Sequence, residues 1–135
     1  MSKVFVNKLR VRYGETDQMG FVYYGNYAQY LEVARTELIR STGITYAELE
    51  KQGVQLPVVN LEINYRNPAR YDDELRLETT MPGNISRKIC FHTKIFKEDN
   101  TLLIEAKVEL VFVNVKTEKV VRCPENLLDK LKEFQ

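Results

Sequence analysis

The sequence predicts an α+β fold, in which one long helix lies beside an antiparallel sheet. A helical pattern dominates residues 26–40, whereas apolar and polar residues alternate through most of residues 58–114. Helical and extended segments are therefore segregated along the chain, as is typical of the α+β class. No internal repeat and no linker interrupts the 135 residues, so we predict a single domain spanning 1–135.

The first elements are a strand at residues 8–13, where apolar and charged side chains alternate, and the long helix. Asn26 is a suitable N-cap for this helix, and Gly43 a suitable stop. A capping box of Thr45 and Glu48 predicts a second, short helix. The apolar positions of the long helix recur at spacings of three and four: Tyr27, Leu31, Ala34 and Leu38.

Four further strands are predicted at residues 58–66, 75–81, 85–97 and 102–114. Tight turns at 82–84 and 98–100 separate the last three, and a final helix starts near Pro124. Five strands and one long helix suggest a sheet wrapped around that helix. A cystatin-like curved sheet would give a similar pattern, so both arrangements stay open at this point.

Composition excludes several classes of protein. The formal net charge of +1 gives no basic surface for nucleic acid. No apolar run reaches the roughly 18 residues that a membrane span needs. Residues 1–8 contain no apolar stretch typical of a secretory signal, so we expect a cytoplasmic protein.

Few catalytic mechanisms fit the residues present. The sequence has no Gly-x-Ser-x-Gly motif and no phosphate-binding glycine motif. His92 is the only histidine, which argues against a metal site and against Ser–His or Cys–His catalysis. Because His92 falls in the middle of a predicted strand, opposite the face that we expect to be buried, we interpret it as structural or merely exposed. Carboxylates are therefore the best candidates for catalysis.

Asp17 stands out among the acidic residues because it lies in a loop, residues 14–25, between the first strand and the long helix. Aromatic residues at 21, 23 and 24 can shield this loop from water. The following helix start offers unpaired N–H groups and a positive dipole end, which suit a developing oxyanion. From the pattern alone an ordinary Asx turn at Asp17 is favoured over a catalytic role, because Asp in a loop usually caps or turns.

Two stretches resemble the 4-hydroxybenzoyl-CoA thioesterase family, in its YbgC-type branch. They are VRYGETDQMGFVYYGNYAQYLEVARTEL at 11–38 and INYRNPARYDDELRLET at 63–79. The resemblance implies the hotdog fold, an antiparallel five-stranded sheet wrapped around a long central helix. It also implies hydrolysis of acyl-CoA thioesters, homodimers or homotetramers, and active sites at the subunit boundary.

The resemblance also implies roles for individual residues. Asp17 matches the catalytic carboxylate, as nucleophile or general base, and the backbone N–H groups of Tyr24 and Gly25 match the oxyanion donors. Many relatives have histidine where this chain has Tyr24, so any imidazole proton transfer is lost here. The matching substrate-binding segments are Leu56-Pro57-Val58 and the basic Ser86-Arg87-Lys88, the latter facing the nucleotide part of coenzyme A.

No metal is expected, since His92 is the only histidine. No cofactor is expected either, since coenzyme A would be part of the substrate. Two alternatives stay open: hydrolysis of acyl carrier protein thioesters, and a non-catalytic thioester-binding or interaction module on the same fold. A hotdog dehydratase is disfavoured, since such enzymes use a histidine near the helix and this chain has only His92.

Overall fold

The structure is a computed structural model that describes residues 3–135, so Met1 and Ser2 of the N-terminal segment discussed above lie outside it. Three α-helices are found, α1 (Tyr27–Ser41), α2 (Tyr46–Lys51) and α3 (Glu125–Leu131). The strands are β1 (Phe5–Arg10), β2 (Val54–Gln55), β3 (Val58–Tyr65), β4 (Glu74–Thr80), β5 (Lys88–Lys97), β6 (Leu102–Asn114) and β7 (Val120–Val121).

Five long strands form the body of an antiparallel sheet. Its order is β1–β4–β5–β6, and β3 pairs with residues 104–110 of β6. The two-residue strands β2 and β7 pair with residues 112–114 at the end of β6. Helix α1 packs against β1, β4 and β5. The predicted α+β hotdog fold, with a sheet around one long helix, is confirmed.

The core lies between α1 and one face of this sheet, and it follows from the alternation in the sequence. Side chains at every second position of β4 and β5 are buried because successive residues of a strand face opposite sides. The only two buried polar residues of the described chain, Thr79 and Thr93, satisfy each other through hydroxyls 3.0 Å apart. Helix α1 contributes Tyr27, Tyr30, Leu31, Ala34, Leu38 and Ile39.

The ends of the helices agree with the predictions at two of three points. Gly43 adopts a φ of +93° just after α1, a conformation that glycine tolerates and that ends the helix. The hydroxyl of Thr45 accepts from the Glu48 N–H at the start of α2. Asn26 occupies the predicted N-cap position of α1, but its side chain makes no capping bond: its backbone is helical, with φ −73°, and its side-chain amide donates to the Glu15 carbonyl.

The bounds of β1 and β5 differ from the prediction. Strand β1 starts three residues earlier, at Phe5, and ends at Arg10, because a 3-10 turn at Tyr13–Glu15 interrupts the extended chain. Strand β5 starts at Lys88, three residues late, and its pairing with β6 begins there. Within residues 3–135, no helix has the length and hydropathy needed to cross a membrane.

Candidate active site

A cavity of about 340 Å³ lies where the loop after β1, the start of α1 and the end of β3 meet. Asp17 is the carboxylate in its lining, and Arg66 and Asn67 contribute polar groups just after β3. The remaining wall is mainly aromatic, with Phe21, Tyr24, Tyr27 and Tyr65. An acid in a largely apolar recess is a common arrangement for a small-molecule site.

Asp17 is half-buried, and its carboxylate is held at one oxygen only. Oδ1 accepts the backbone N–H groups of Met19 at 2.9 Å and Phe21 at 3.2 Å. The Asp17 N–H donates in turn to the Phe21 carbonyl, 2.8 Å away. No described residue donates to Oδ2. The Asx turn and the functional interpretation are therefore compatible, because the turn uses one oxygen and leaves the other available.

The start of α1 offers two free amide donors, and one of the two residues, Tyr24, lines the same cavity as Asp17. A 3-10 turn, Tyr24–Asn26, leads directly into the helix. The Asn26 N–H bonds the Tyr23 carbonyl, and the Tyr27 N–H bonds the Tyr24 carbonyl. In the described part of the chain, the N–H groups of Tyr24 and Gly25 have no acceptor, as expected for the first residues of a helix.

Tyr65 connects the end of β3 to this turn. Its hydroxyl donates to the Tyr24 carbonyl at 3.1 Å, and its ring meets those of Tyr24 and Tyr27 edge-on at 6.4 and 5.7 Å. Burial raises the pKa of Tyr27 to about 12, so its hydroxyl stays protonated at neutral pH. The tyrosine rings of the wall thus pack edge-on against Tyr65.

The predicted substrate-binding segment Leu56-Pro57-Val58 lies at the other end of β3. Val58 pairs with Leu110 and lines a separate groove against α1, whereas the Asp17 cavity adjoins Tyr65. Val58 and Tyr65 are seven residue steps apart along the extended strand, about 23 Å at roughly 3.3 Å per step. Within one chain, the structure does not bring this segment to Asp17.

The basic segment Ser86-Arg87-Lys88 also lies far from Asp17 within the chain. It is exposed and leads into β5 at the end where Lys88 pairs with Val111 of β6. The Lys88 ammonium stands 3.6 Å from the Glu109 carboxylate. The structure thus places Asp17 and Tyr24 in one cavity, with Gly25 next to Tyr24 in the same 3-10 turn but outside the cavity lining. Both substrate-binding segments lie at the opposite end of the sheet.

Residues Tyr65, Arg66 and Asn67 belong to the cavity but were not among the predicted site residues. The signal for them was available, since all three fall in the stretch 63–79 that resembles the thioesterase family. Their proximity to Asp17 depends on the pairing of β3 with β6, which places the end of β3 beside the start of α1.

A long helix wrapped by an antiparallel sheet is the hotdog fold, and the cavity with Asp17 lies at the start of that helix. The sequence profile of the thioesterase-like superfamily matches residues 11–131. The chain belongs to this superfamily. The predicted enzyme class, a thioester hydrolase, is confirmed, as is the resemblance to YbgC-type proteins.

Individual relatives agree with this assignment. The acyl-CoA thioester hydrolase YbgC of Escherichia coli is 32% identical over 125 residues, covering 93% of each chain. The acyl-acyl carrier protein thioesterase ATL3 of Arabidopsis thaliana is 31% identical over 135 residues, 99% of this chain and 70% of the relative. A DHNA-CoA thioesterase from Staphylococcus aureus, a solved structure, has a TM-score of 0.85 and 34% identity, covering 88% of this chain and 80% of its own.

Proposed function

We propose that this protein hydrolyses acyl-CoA thioesters and that Asp17 is its catalytic carboxylate. The observation that carries the proposal is the free Oδ2 of Asp17 in a cavity that also adjoins the start of α1. The YbgC relative, named for acyl-CoA hydrolysis, supports coenzyme A as the thiol. The predicted cytoplasmic location stays a prediction.

The carboxylate is suited to attack because its turn fixes it without occupying it. The Met19 and Phe21 amides hold Oδ1, so Oδ2 can be directed into the cavity without loss of the loop conformation. Oδ2 either attacks the thioester carbonyl or removes a proton from an attacking water. In the first route the carbon–sulfur bond breaks to give an acyl anhydride on Asp17 and the coenzyme A thiolate, and water then hydrolyses the anhydride to the free acid and the Asp17 carboxylate. In the second route water adds to the carbonyl carbon, the carbon–sulfur bond breaks, and the proton held by Asp17 passes to the leaving thiolate.

The free N–H groups of Tyr24 and Gly25 are the proposed oxyanion donors. They stand at the N-terminal end of a 15-residue helix, whose dipole adds positive potential there. A carbonyl oxygen that gains charge in the transition state binds such fixed donors more tightly than it does in the substrate. Because these donors are backbone groups, the tyrosine side chain at position 24 does not remove them.

A homodimer formed through β3 would complete the site. One edge of β3 pairs with β6, and the other has no strand partner within residues 3–135. Val58 and Leu61 are 46% and 42% exposed, an apolar edge that soluble proteins usually cover. In a two-fold antiparallel pairing centred between Leu61 and Glu62, Val58 of one copy meets Tyr65 of the other. The substrate-binding segment at 56–58 then reaches the partner's Asp17 cavity.

Measuring the mass of the protein in solution tests the dimer directly. Light scattering should give a multiple of the 15.8 kDa chain mass, twofold for a dimer and fourfold for a pair of dimers. Replacing Leu61 with lysine at the proposed centre should shift the mass toward one chain and reduce turnover. A monomeric wild-type protein with full activity would refute a site shared between subunits.

The catalytic proposal is tested by Asp17→Asn, with thiol release from acyl-CoA as the assay. Asparagine keeps an oxygen for the Met19 and Phe21 amides but carries no negative charge, so the loop should persist while kcat falls by about 10²–10⁴. The matched control is Asp99→Asn, because Asp99 accepts the Thr101 N–H in a similar turn and does not line the cavity. Full turnover by a folded Asp17→Asn protein would refute the assignment.

Acyl carrier protein thioesters are a second candidate substrate, favoured by the likeness to ATL3. Comparing kcat/KM for one acyl group on coenzyme A and on acyl carrier protein decides between the two carriers. The same assay across aliphatic and aromatic acyl-CoAs defines the acyl group. If no thioester in the panel were hydrolysed, the non-catalytic binding module would become the better explanation.

A further inference from the structure

Glu15 makes an unusual set of contacts two residues before Asp17. Its Oε1 accepts the Arg12 N–H at 2.8 Å and the Tyr30 hydroxyl at 2.9 Å. Its backbone carbonyl accepts the Tyr23 N–H at 2.9 Å and the Asn26 side-chain amide at 2.8 Å. The Glu15 side chain is only 17% exposed, and its bond to Tyr30 and the Asn26 bond to its carbonyl are partly buried, whereas the Arg12 bond is exposed.

These four bonds connect three parts of the site. The Arg12 N–H belongs to the chain just after β1, and Tyr30 lies in the first turn of α1. Tyr23 and Asn26 flank the Tyr24–Gly25 pair that carries the proposed oxyanion donors. Glu15 therefore fixes the position of the Asp17 loop relative to the start of the helix.

The geometry argues for a positioning role and against direct catalysis. Glu15 is not part of the lining of the Asp17 cavity, so its carboxylate does not face the space available to substrate. Arg12 stands 3.6 Å from Oε2 with its side chain 84% exposed, and an ion pair so exposed contributes little. The main partner is the Tyr30 hydroxyl. Burial, and then the bond to Glu15, raise the pKa of Tyr30, so this hydroxyl remains a donor.

We infer that Glu15 is a positioning residue, which holds the Asp17 carboxylate at a fixed distance from the Tyr24 and Gly25 amides through Tyr30 and Asn26. This inference rests on the proposed function. It has a physical basis, because a displacement of about 1 Å between reacting groups can lower a rate about 100-fold. Four bonds from one residue provide a restraint of that precision.

The test compares Glu15→Gln with Glu15→Ala. Glutamine keeps an oxygen at Oε1 for the Arg12 N–H and the Tyr30 hydroxyl, so kcat should stay within about threefold of wild type. Alanine removes both bonds, and kcat should fall about 10- to 100-fold with KM changed less than about threefold. The matched control is Glu37→Ala, since Glu37 bonds only the exposed Arg40 on the same helix. It should retain wild-type kcat.

Tyr30→Phe provides a second variant in case Glu15→Ala does not fold. It removes one hydroxyl and keeps the buried ring, so kcat should fall about 3- to 10-fold, the value of one lost hydrogen bond. Wild-type kcat in Tyr30→Phe, or in a folded Glu15→Ala, would overturn the inference. Equal losses in Glu15→Gln and Glu15→Ala would also overturn it, because charge and not geometry would then matter.

The failure of this inference is distinguishable from failure of the proposed function. If Asp17→Asn is inactive while Glu15→Ala is fully active, only the positioning role of Glu15 is refuted. If Asp17→Asn is fully active, the catalytic proposal is refuted first, whatever the Glu15 variants do.

Discussion

Replacing Tyr65 with phenylalanine tests whether the end of β3 supports the oxyanion donors. The Tyr65 hydroxyl donates to the carbonyl of Tyr24, and this carbonyl belongs to the same peptide group as the Gly25 N–H. A donor at the oxygen polarises the peptide and strengthens its N–H as a donor, as in other chains of hydrogen bonds. The variant removes this donor and keeps the ring contacts with Tyr24 and Tyr27.

The size of the effect follows from one neutral hydrogen bond of 3.1 Å. Such a bond contributes about 0.5–1.5 kcal/mol, and about 1.4 kcal/mol corresponds to a factor of ten in rate. We therefore expect kcat to fall about two- to tenfold. KM and the free energy of unfolding should change little, because the ring remains and Tyr65 is half-exposed.

Steady-state thiol release and a thermal melt measure these quantities. Tyr71→Phe is the matched control: Tyr71 packs edge-on against Tyr13 at 5.4 Å, is 55% exposed and does not line the cavity. It should behave as wild type. The reasoning fails if Tyr65→Phe turns over at the wild-type rate, or if its loss appears in KM alone.

Two further predictions concern the stability of the fold. Thr79→Val should lower the free energy of unfolding by about 1–3 kcal/mol, because it leaves the buried Thr93 hydroxyl unpaired. In urea unfolding, the Thr79→Val/Thr93→Val double variant should lose less free energy of unfolding than the two single variants lose together. Burial raises the pKa of Cys123 from 9.0 to about 12. As pH rises, the thiol therefore loses its proton in the unfolded chain before it does in the folded one. The free energy of unfolding should fall between about pH 9 and pH 12. Cys123→Ala should flatten this slope, and an unchanged slope would contradict the assignment.

The sequence predicts the elements of the sheet that have a buried face. In β4, β5 and β6, alternation over seven or more residues marks the core side chains correctly, because each strand has one face against α1 or the core. The strands β2 and β7 have two residues each and exist only through pairing with β6. A strand of two residues is too short to show alternation, so only the tertiary structure reveals β2 and β7.

In the site, too, features that are local in sequence could be predicted, and those that depend on strand pairing could not. Asp17, Tyr24 and Gly25 are close along the chain, so the loop and helix start could be identified from sequence. Tyr65 lies 41 residues beyond Tyr24, and its contact with that residue depends on the register of β3 on β6. The segments at 56–58 and 86–88 lie at the other end of the sheet, and only a second chain could bring them to the cavity.

The sequence alone does not show which of two neighbouring acids, Glu15 and Asp17, positions the loop and which one is available to react. Both lie in the predicted loop at 14–25, where no strand or helix period indicates the direction of a side chain. The 3-10 turn at Tyr13–Glu15 sets these directions in the structure. Glu15 then points inward to Tyr30, and Asp17 lines the cavity with one oxygen free. One acid can hold the loop while the other reacts, because a single turn separates their directions.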